Sequence, residues 1–246
     1  MSDEPEIVKT LVVDGDVLAY RASFSAQDKP LLDAYKKVDD LMQFIVNRTL
    51  WFSTGDDYEV YLTGDGNFRF DVATTAPYKG NRSEGSKPIH LPWVRDYIVE
   101  KHRGVVIEGQ EADDQMAIDA AHADPETTVI ASIDKDMLQV NCWHFNFAKN
   151  EFHYSTPESG LRFFYQQILT GDNVDNIKGL WRVGPAKAEK ILGDAVTEED
   201  LYQKVLEAYD GNAERVLENA RLLWLRRFEG QMWVPPMERN TECVSQ

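Results

Sequence analysis

Short apolar runs recur along the chain between helical patterns, and acidic residues follow most of these runs. The alternation of strands and helices predicts an α/β fold with a central, mainly parallel sheet flanked by helices. Ligands bind beyond the carboxyl ends of the strands in such sheets, so acids there are candidates for one common site. Five acidic groups are candidates: Asp14 with Asp16, Asp65, Glu111 with Asp113 and Asp114, Asp134 with Asp136, and Asp172 with Asp175.

The densest group is Glu111-Ala112-Asp113-Asp114, at the start of a helix predicted to run to about His122. Acids are favoured in the first helical turn, where they cap free N–H groups, so capping alone would explain this group. Five such groups in one chain favour another explanation. Carboxylates brought together repel one another, and hard cations with oxygen ligands neutralise them. We therefore predict a site for divalent metal ions.

The expected organisation is a core over residues 1–156, a second region over 157–234 in the same compact unit, and a loose tail over 235–246. The core includes a distinct segment, 68–103, rich in Gly and Pro. The predicted strands are 7–13, 58–62, 127–133 and a hairpin of 142–147 with 151–154. The predicted helices are 16–22, 31–52, 92–102, 111–122, 157–169, one starting at Pro185, 198–209 and 212–228.

The net charge of −16 argues at first against a nucleic-acid partner. However, the five groups contain ten of the 42 acids, which leaves 32 acids against 26 bases. Residues 79–103 hold six bases and three acids. Tyr78-Lys79-Gly80-Asn81-Arg82 would suit a phosphate clamp, with Tyr78 stacking on a base and Lys79 and Arg82 binding phosphate. A solvated loop is the alternative.

A second basic stretch lies at 178–190, with four bases and one acid. A turn ends at Gly184, and the N–H groups of the following helix could hold a phosphate. The candidate contacts to nucleic acid are Lys178, Gly184, Lys187 and Lys190. A simple turn with a helix cap is the alternative.

Neither cysteine, Cys142 or Cys243, belongs to a Cys-x-x-Cys or Cys/His cluster, which argues against zinc. We expect a reducing, cytoplasmic setting, with no targeting leader at the start of the sequence. No apolar run approaches about 18 residues, so no membrane span is expected.

Taken together, these blocks resemble the 5′–3′ exonuclease and flap endonuclease family, which includes bacteriophage exonucleases and the 5′-nuclease domain of bacterial DNA polymerase I. The matching blocks occur in family order: Val13-Asp14-Gly15 with Tyr20-Arg21-Ala22, Tyr78 to Arg82, Glu111 to Asp114, Asp134-Lys135-Asp136-Met137, and Gly171-Asp172 with Asp175-Asn176-Ile177, Gly184 and Lys187. Each block is weak alone, whereas five in order are specific.

The resemblance implies a nuclease core of the PIN-like type, a short arch or clamp, a helix-hairpin-helix region, and two Mg²⁺ or Mn²⁺ ions about 4 Å apart. It implies that Asp14, Asp65, Glu111 and Asp113 hold the first ion, and that Asp134, Asp136 and Asp175 hold the second. Asp114 and Asp172 would be water-mediated ligands or supports. Lys79 and Arg82 would contact the scissile phosphate.

The implied partner is branched or 5′-ended DNA, with an RNA–DNA hybrid left open, and the implied protein is a monomer of bacterial or phage origin. The hairpin in this family often binds a potassium ion. Here Arg182 stands where the hairpin usually has glycine, and arginine does not adopt positive φ freely. The sequence therefore does not decide whether this hairpin binds potassium. Asp16 replaces a small polar residue, and the arch is short.

Two other functions share part of these features. A haloacid-dehalogenase-type phosphatase has an aspartyl motif that resembles Asp14-Gly15-Asp16, but it leaves the Glu111 group, the clamp and the hairpin unexplained. A non-catalytic binder of branched DNA would lack metal ligands, whereas the set here is complete. A nuclease that removes RNA primers would use the same site, and the sequence does not separate it from a DNA nuclease.

Overall fold

The computed structural model describes residues 3–49, 58–82 and 87–239. Within these ranges the strands are β1 (Thr10–Asp14), β2 (Tyr58–Thr63), β3 (Val105–Ile107), β4 (Thr128–Ala131), β5 (Cys142–Asn146), β6 (Glu151–Ser155), β7 (Gly171–Asp172) and β8 (Ile177–Lys178). The α-helices are α1 (Gly15–Ser25), α2 (Leu31–Thr49), α3 (Arg69–Val72), α4 (Leu91–His102), α5 (Ala112–His122), α6 (Pro157–Thr170), α7 (Pro185–Leu192), α8 (Glu198–Ala208), α9 (Ala213–Leu223) and α10 (Pro236–Arg239). Lys135–Gln139 form a 3₁₀ helix.

The main sheet has six strands in the order β3-β2-β1-β4-β5-β6. All neighbouring pairs are parallel except β5 and β6, which form an antiparallel hairpin. The predicted fold class is therefore confirmed. Parallel pairing brings the carboxyl ends of β3, β2, β1 and β4 to one edge of the sheet.

The two faces of the sheet are covered by different helices because successive strand residues point to opposite sides. Leu11 and Val13 pack with α1, α2 and α4 in one buried cluster. Val12 and Ile130 face the other way and pack with Met116 of α5. Both faces are apolar, as expected for parallel strands buried on two sides.

The chain divides into two compact units, which differ from the expected division near residue 156. Unit 1 holds the main sheet and consists, among the described residues, of 3–49, 58–67, 87–156 and 225–229. Unit 2 consists of 68–82, 157–224 and 230–239. The first part of the segment predicted to belong to the core, 68–82, thus groups with the helices that follow residue 157.

Unit 2 is helical, with Phe164, Tyr165 and Trp233 among its buried side chains. Its small sheet of β7 and β8 requires glycine at two positions. A Cβ on Gly171, whose φ is +68°, would lie 2.3 Å from the backbone N of Gly179, and a Cβ on Gly179 would lie 2.2 Å from a backbone carbon of Thr170. Two stretches of backbone therefore meet here without room for side chains.

Most predicted helices and strands are confirmed within a few residues, but two ends are wrong. The last long helix was expected to reach residue 228, whereas α9 ends at Leu223. The chain leaves the helix after Leu223, and Leu225 is buried in a core cluster of unit 1. The expected loose tail contains helix α10, where Arg239 bonds to both carboxylate oxygens of Glu198 at 2.7 and 2.8 Å. Residues 50–52 and 240–246 lie outside the described ranges.

A buried acid in α9 holds residues 68–82 within unit 2. The carboxylate of Glu218 accepts hydrogen bonds from the backbone N–H groups of Thr74 and Thr75 at 2.7 Å, from the Thr75 hydroxyl, and from Arg215. Burial alone would raise the pKa of Glu218, but these donors outweigh it and lower the pKa to about 2. The guanidinium of buried Arg69 adds bonds to the carbonyl oxygens of Leu222 and Trp224.

We expect the Glu218→Gln variant to lose the part of the free energy of unfolding that depends on the ionised Glu218 carboxylate. A carboxyl whose pKa is lowered by folding stabilises the protein above its unfolded pKa, near 4.5, and the contribution is lost as the pH falls toward 2. At about 1.4 kcal/mol per pKa unit, the contribution at neutral pH is about 3 kcal/mol. Chemical unfolding between pH 2 and 7, followed by circular dichroism, measures the difference. Glu214→Gln, an exposed acid in the same helix, is the matched control. Equal pH dependence in both variants would contradict the assignment.

Candidate active site

Acids follow four neighbouring parallel strands of unit 1 at the same edge of the sheet. Asp14 is the last residue of β1, and Asp65 comes two residues after the end of β2. Glu111 follows β3, and Asp134 follows β4. The sequence prediction that these acids share the carboxyl edge of the strands agrees with the strand order.

Asp14 is the most deeply buried member of this set, at 2% exposure. Its carboxylate accepts a hydrogen bond from the Ser132 hydroxyl at 2.6 Å and another from the backbone N–H of Val17 at 2.9 Å. The pKa of Asp14 is raised to about 7, because burial and, to a smaller extent, the charges of Asp16 and Asp134 outweigh the lowering effect of the two hydrogen bonds. A buried carboxylate with acidic neighbours is the environment that a cation stabilises.

Asp16 has a structural partner. One carboxylate oxygen accepts from the backbone N–H of Thr63 at 2.9 Å, and the other pairs with Arg95 of α4. The Arg95 guanidinium also donates to the carbonyl oxygen of Thr63. The acid that departs from the family pattern thus joins the start of α1 to the end of β2.

Three acids lie at the start of α5, and two of them cap the helix. Glu111 and Asp114 form a capping box, in which each side chain accepts from the other residue's backbone N–H. Asp114 is fully buried, and its second oxygen accepts from the backbone N–H of Arg226 at 3.2 Å. Asp113, between them, is half-buried. Asp114 therefore supports the helix start, whereas the ligand role of Asp113 stays a prediction.

The arginines near the end of α9 are structural. The sequence predicts Arg226 and Arg227 within the helix 212–228, but α9 ends before them at Leu223. Instead, the Arg226 guanidinium donates to Gln110 at 2.7 Å, and that of Arg227 donates to the carbonyl oxygen of Gln139 at 2.8 Å. Both contacts fix loops beside the acids. No local sequence pattern reveals them, because the partners are 88 or more residues apart.

Asp134 and Asp136 lie on a short 3₁₀ helix after β4. Asp134 caps it by accepting from the backbone N–H of Asp136 at 2.9 Å, and the Ser132 hydroxyl accepts from the Asp134 N–H at 3.0 Å. Ser132 therefore bonds to Asp14 and to Asp134, a role that the sequence analysis did not assign to it. Over the described ranges, the His, Cys, Asp and Glu side chains form no group of three or more that is arranged to hold a metal ion. The donors at this edge are carboxylate oxygens, and their chemistry fits hard divalent ions.

In unit 2, the basic and aromatic residues of the predicted clamp gather on Asp175. Tyr78 donates its hydroxyl hydrogen bond to Asp175 at 2.8 Å, Arg82 pairs with it at 2.5 Å, and the Lys79 ammonium lies 3.9 Å away. Tyr78 is only 4% exposed because its ring packs in the core of unit 2. The prediction that this ring stacks on a base is not supported in this arrangement.

Asp172 is likewise engaged. Its carboxylate accepts from the backbone N–H groups of Val174 and Asp175 at 2.6 and 3.3 Å, which closes the turn between β7 and β8. This bonding fits the supporting role that was one of two expectations for Asp172.

The hairpin before α7 keeps its left-handed turn although arginine replaces glycine. Arg182 has a φ of +58°. Lys178, Lys187 and Lys190 are exposed, as expected for contacts to a polyanion. Gly184 has an ordinary φ of −103°, and a Cβ placed there meets nothing within 4 Å.

We expect the Asp114→Asn variant to be destabilised even without metal. An amide has one acceptor oxygen, so one of the two N–H groups that now bond to Asp114 would lose its partner, at a cost of about 1–3 kcal/mol. Urea unfolding measures the change. The control is Asp40→Asn, an exposed acid on α2, which should change stability by less than about 0.5 kcal/mol. Equal stability of the two variants would refute the supporting role.

None of the helices in the described part of the chain combines the length and the apolar character needed to cross a membrane.

No protein-family model matches the chain. A 5′-3′ exonuclease of Mycoplasma genitalium is 28% identical over 224 residues, which cover 79% of this chain and 75% of that protein. DNA polymerase I of Streptococcus pneumoniae is 28% identical over 225 residues, which cover 80% of this chain but only 25% of the polymerase. The chain thus spans about a quarter of the length of such polymerases.

Solved structures show the same fold. The T5 D15 protein co-crystallised with metal ions superposes with a TM-score of 0.67 at 18% identity, covering 87% of this chain and 88% of that protein. A complex of T5 D15 flap endonuclease with DNA and metal ions gives a TM-score of 0.58 at 17% identity, covering 87% and 96%. These comparisons confirm the resemblance to the 5′–3′ exonuclease and flap endonuclease family that the sequence motifs indicated.

Proposed function

We propose that this protein is a divalent-metal-dependent 5′ nuclease that hydrolyses phosphodiester bonds near the 5′ ends or 5′ flaps of DNA. The observation that carries the proposal is the set of acids after four neighbouring parallel strands, with Asp14 buried at their centre. The exonuclease and flap endonuclease names of the relatives support the same activity.

The proposed ligands of the first ion are Asp14, Asp65, Glu111 and Asp113, and Asp134 with Asp136 would serve the second. The assignment of Asp175 to the second ion stays a prediction. Bound Mg²⁺ or Mn²⁺ ions would supply an activated water and neutralise the leaving oxygen. The chain's own contribution is to hold the carboxylates in place through Ser132 and the start of α5.

Lys79 and Arg82 are the proposed cations for the phosphoryl oxygens, where charge builds up in the transition state. Both now interact with Asp175. A substrate phosphate at this position must therefore compete with that carboxylate for the two cations. The products are proposed to carry 5′-phosphate and 3′-hydroxyl groups. An RNA–DNA hybrid remains a candidate substrate. A monomer is the proposed oligomeric state, and the potassium site at the hairpin remains a prediction.

We expect cleavage to require Mg²⁺ or Mn²⁺, to stop with a chelator, and to fall about 100-fold or more in Asp113→Asn, because even outer partners of metal sites contribute 10–100-fold. The assay uses end-labelled flap, nicked, single-stranded and RNA–DNA substrates. Asp40→Asn, an exposed acid in the same unit, should cleave as the wild type does. Full activity in Asp113→Asn, or no cleavage of any substrate, would overturn the proposal.

A further inference from the structure

The hairpin that joins β8 to α7 carries a tryptophan that faces solvent. Trp181 is 84% exposed, more than any other large apolar side chain in the described part of the chain. Burying an aromatic side chain removes about 150–250 Å² from water and is strongly favourable. Single exposed apolar residues are common, so this exposure needs further support before it indicates a contact.

The first support is the neighbouring arginine. The Arg182 guanidinium lies 5.5 Å from the centre of the Trp181 ring. Arg182 also adopts a φ of +58°, which glycine accepts without cost and arginine does not. The turn therefore keeps a cation against one face of the indole despite backbone strain, while the high exposure leaves the other face to solvent.

The second support is the charge of residues 178–190, the stretch that carries the indole. Lys178, Lys187 and Lys190 are exposed, and the only acid among residues 178–190, Glu189, is paired with Arg162 at 2.6 Å and bonded to Gln166. A basic surface in a chain of net charge −16 fits a polyanion. An aromatic face combined with cations is the arrangement that binds exposed nucleobases and the adjoining phosphates.

We propose that Trp181, flanked by Arg182, stacks on an unpaired base or on a terminal base pair of DNA. The inference rests on the proposed nuclease function and adds a contact that distinguishes branched or broken DNA from a continuous duplex. A closed duplex offers no free base face, whereas a flap, a nick or an end does.

The test measures DNA binding in Ca²⁺, an oxygen-ligand ion used here in place of Mg²⁺ to limit cleavage. The probes are a 5′-flap DNA and a dumbbell duplex whose two ends are closed by non-nucleotide linkers, so that it carries no unpaired base. The variants are Trp181→Ala, Trp181→Phe and Arg182→Gln. The matched control is Val196→Ala, an apolar residue of 74% exposure outside the hairpin. Thermal unfolding checks that Trp181→Ala leaves the fold intact, as expected for an exposed side chain.

Trp181→Ala should bind the flap about 5- to 100-fold more weakly, as expected for the loss of one stacked base, with an unchanged salt dependence because no cation is lost. Trp181→Phe should retain most of the affinity, and Val196→Ala all of it. Arg182→Gln should lower the slope of log affinity against log salt by about 1. All four variants should bind the dumbbell with nearly the wild-type affinity, apart from the charge effect of Arg182→Gln.

Wild-type affinity of Trp181→Ala for the flap would overturn the inference, as would an equal loss on the dumbbell. A change of oligomeric state in Trp181→Ala would also overturn it, because it would assign the indole to a second copy of the chain. Cleavage by the wild type together with any of these results would leave the proposed function standing. Failure of the wild type to bind or cleave any DNA would overturn both.

Discussion

The buried carboxylate at the end of β1 is the constraint on which the acidic edge of the sheet depends. A charged group with 2% exposure must find donors, since burying it without partners is costly. Asp14 finds them in the hydroxyl of Ser132 after β4 and in the first turn of α1. The same hydroxyl accepts from the backbone of Asp134, so satisfying one charge also fixes the path of the next acid loop.

The fold and the edge on which the acids lie could be predicted because both follow from local patterns. Apolar runs identify strands, and the acid after each run identifies its carboxyl end. The supports could not be predicted in this way. Arg226 reaches Asp114 across 112 residues, and Tyr78, in a stretch with the composition of a loop, is buried. Such positions depend on which elements pack together, and charge or aromatic character alone does not decide between exposure and burial.

The interactions of Asp175 show why residue type alone did not define the role of the clamp segment. Tyr78, Lys79 and Arg82 all interact with this one carboxylate within unit 2. One protein anion thereby holds both cations. The proposed function requires a substrate phosphate to take the place of this carboxylate as the anionic partner of the two cations. The Tyr78 ring, whose centre lies 5.1 Å from the Lys79 ammonium, contributes packing, and its hydroxyl bonds to the acid.

The path of the chain through the two units has a consequence for evolution by recombination. Only five residues, 225–229, return to unit 1 before the chain enters unit 2 again, and they carry the backbone N–H that bonds to Asp114. A genetic exchange that replaced the sequence after residue 156 would exchange unit 2 except for residues 68–82 and, with it, the segment that secures the acidic helix of unit 1. The two units are therefore unsuited to independent shuffling, and their sequences must change in step at this short return.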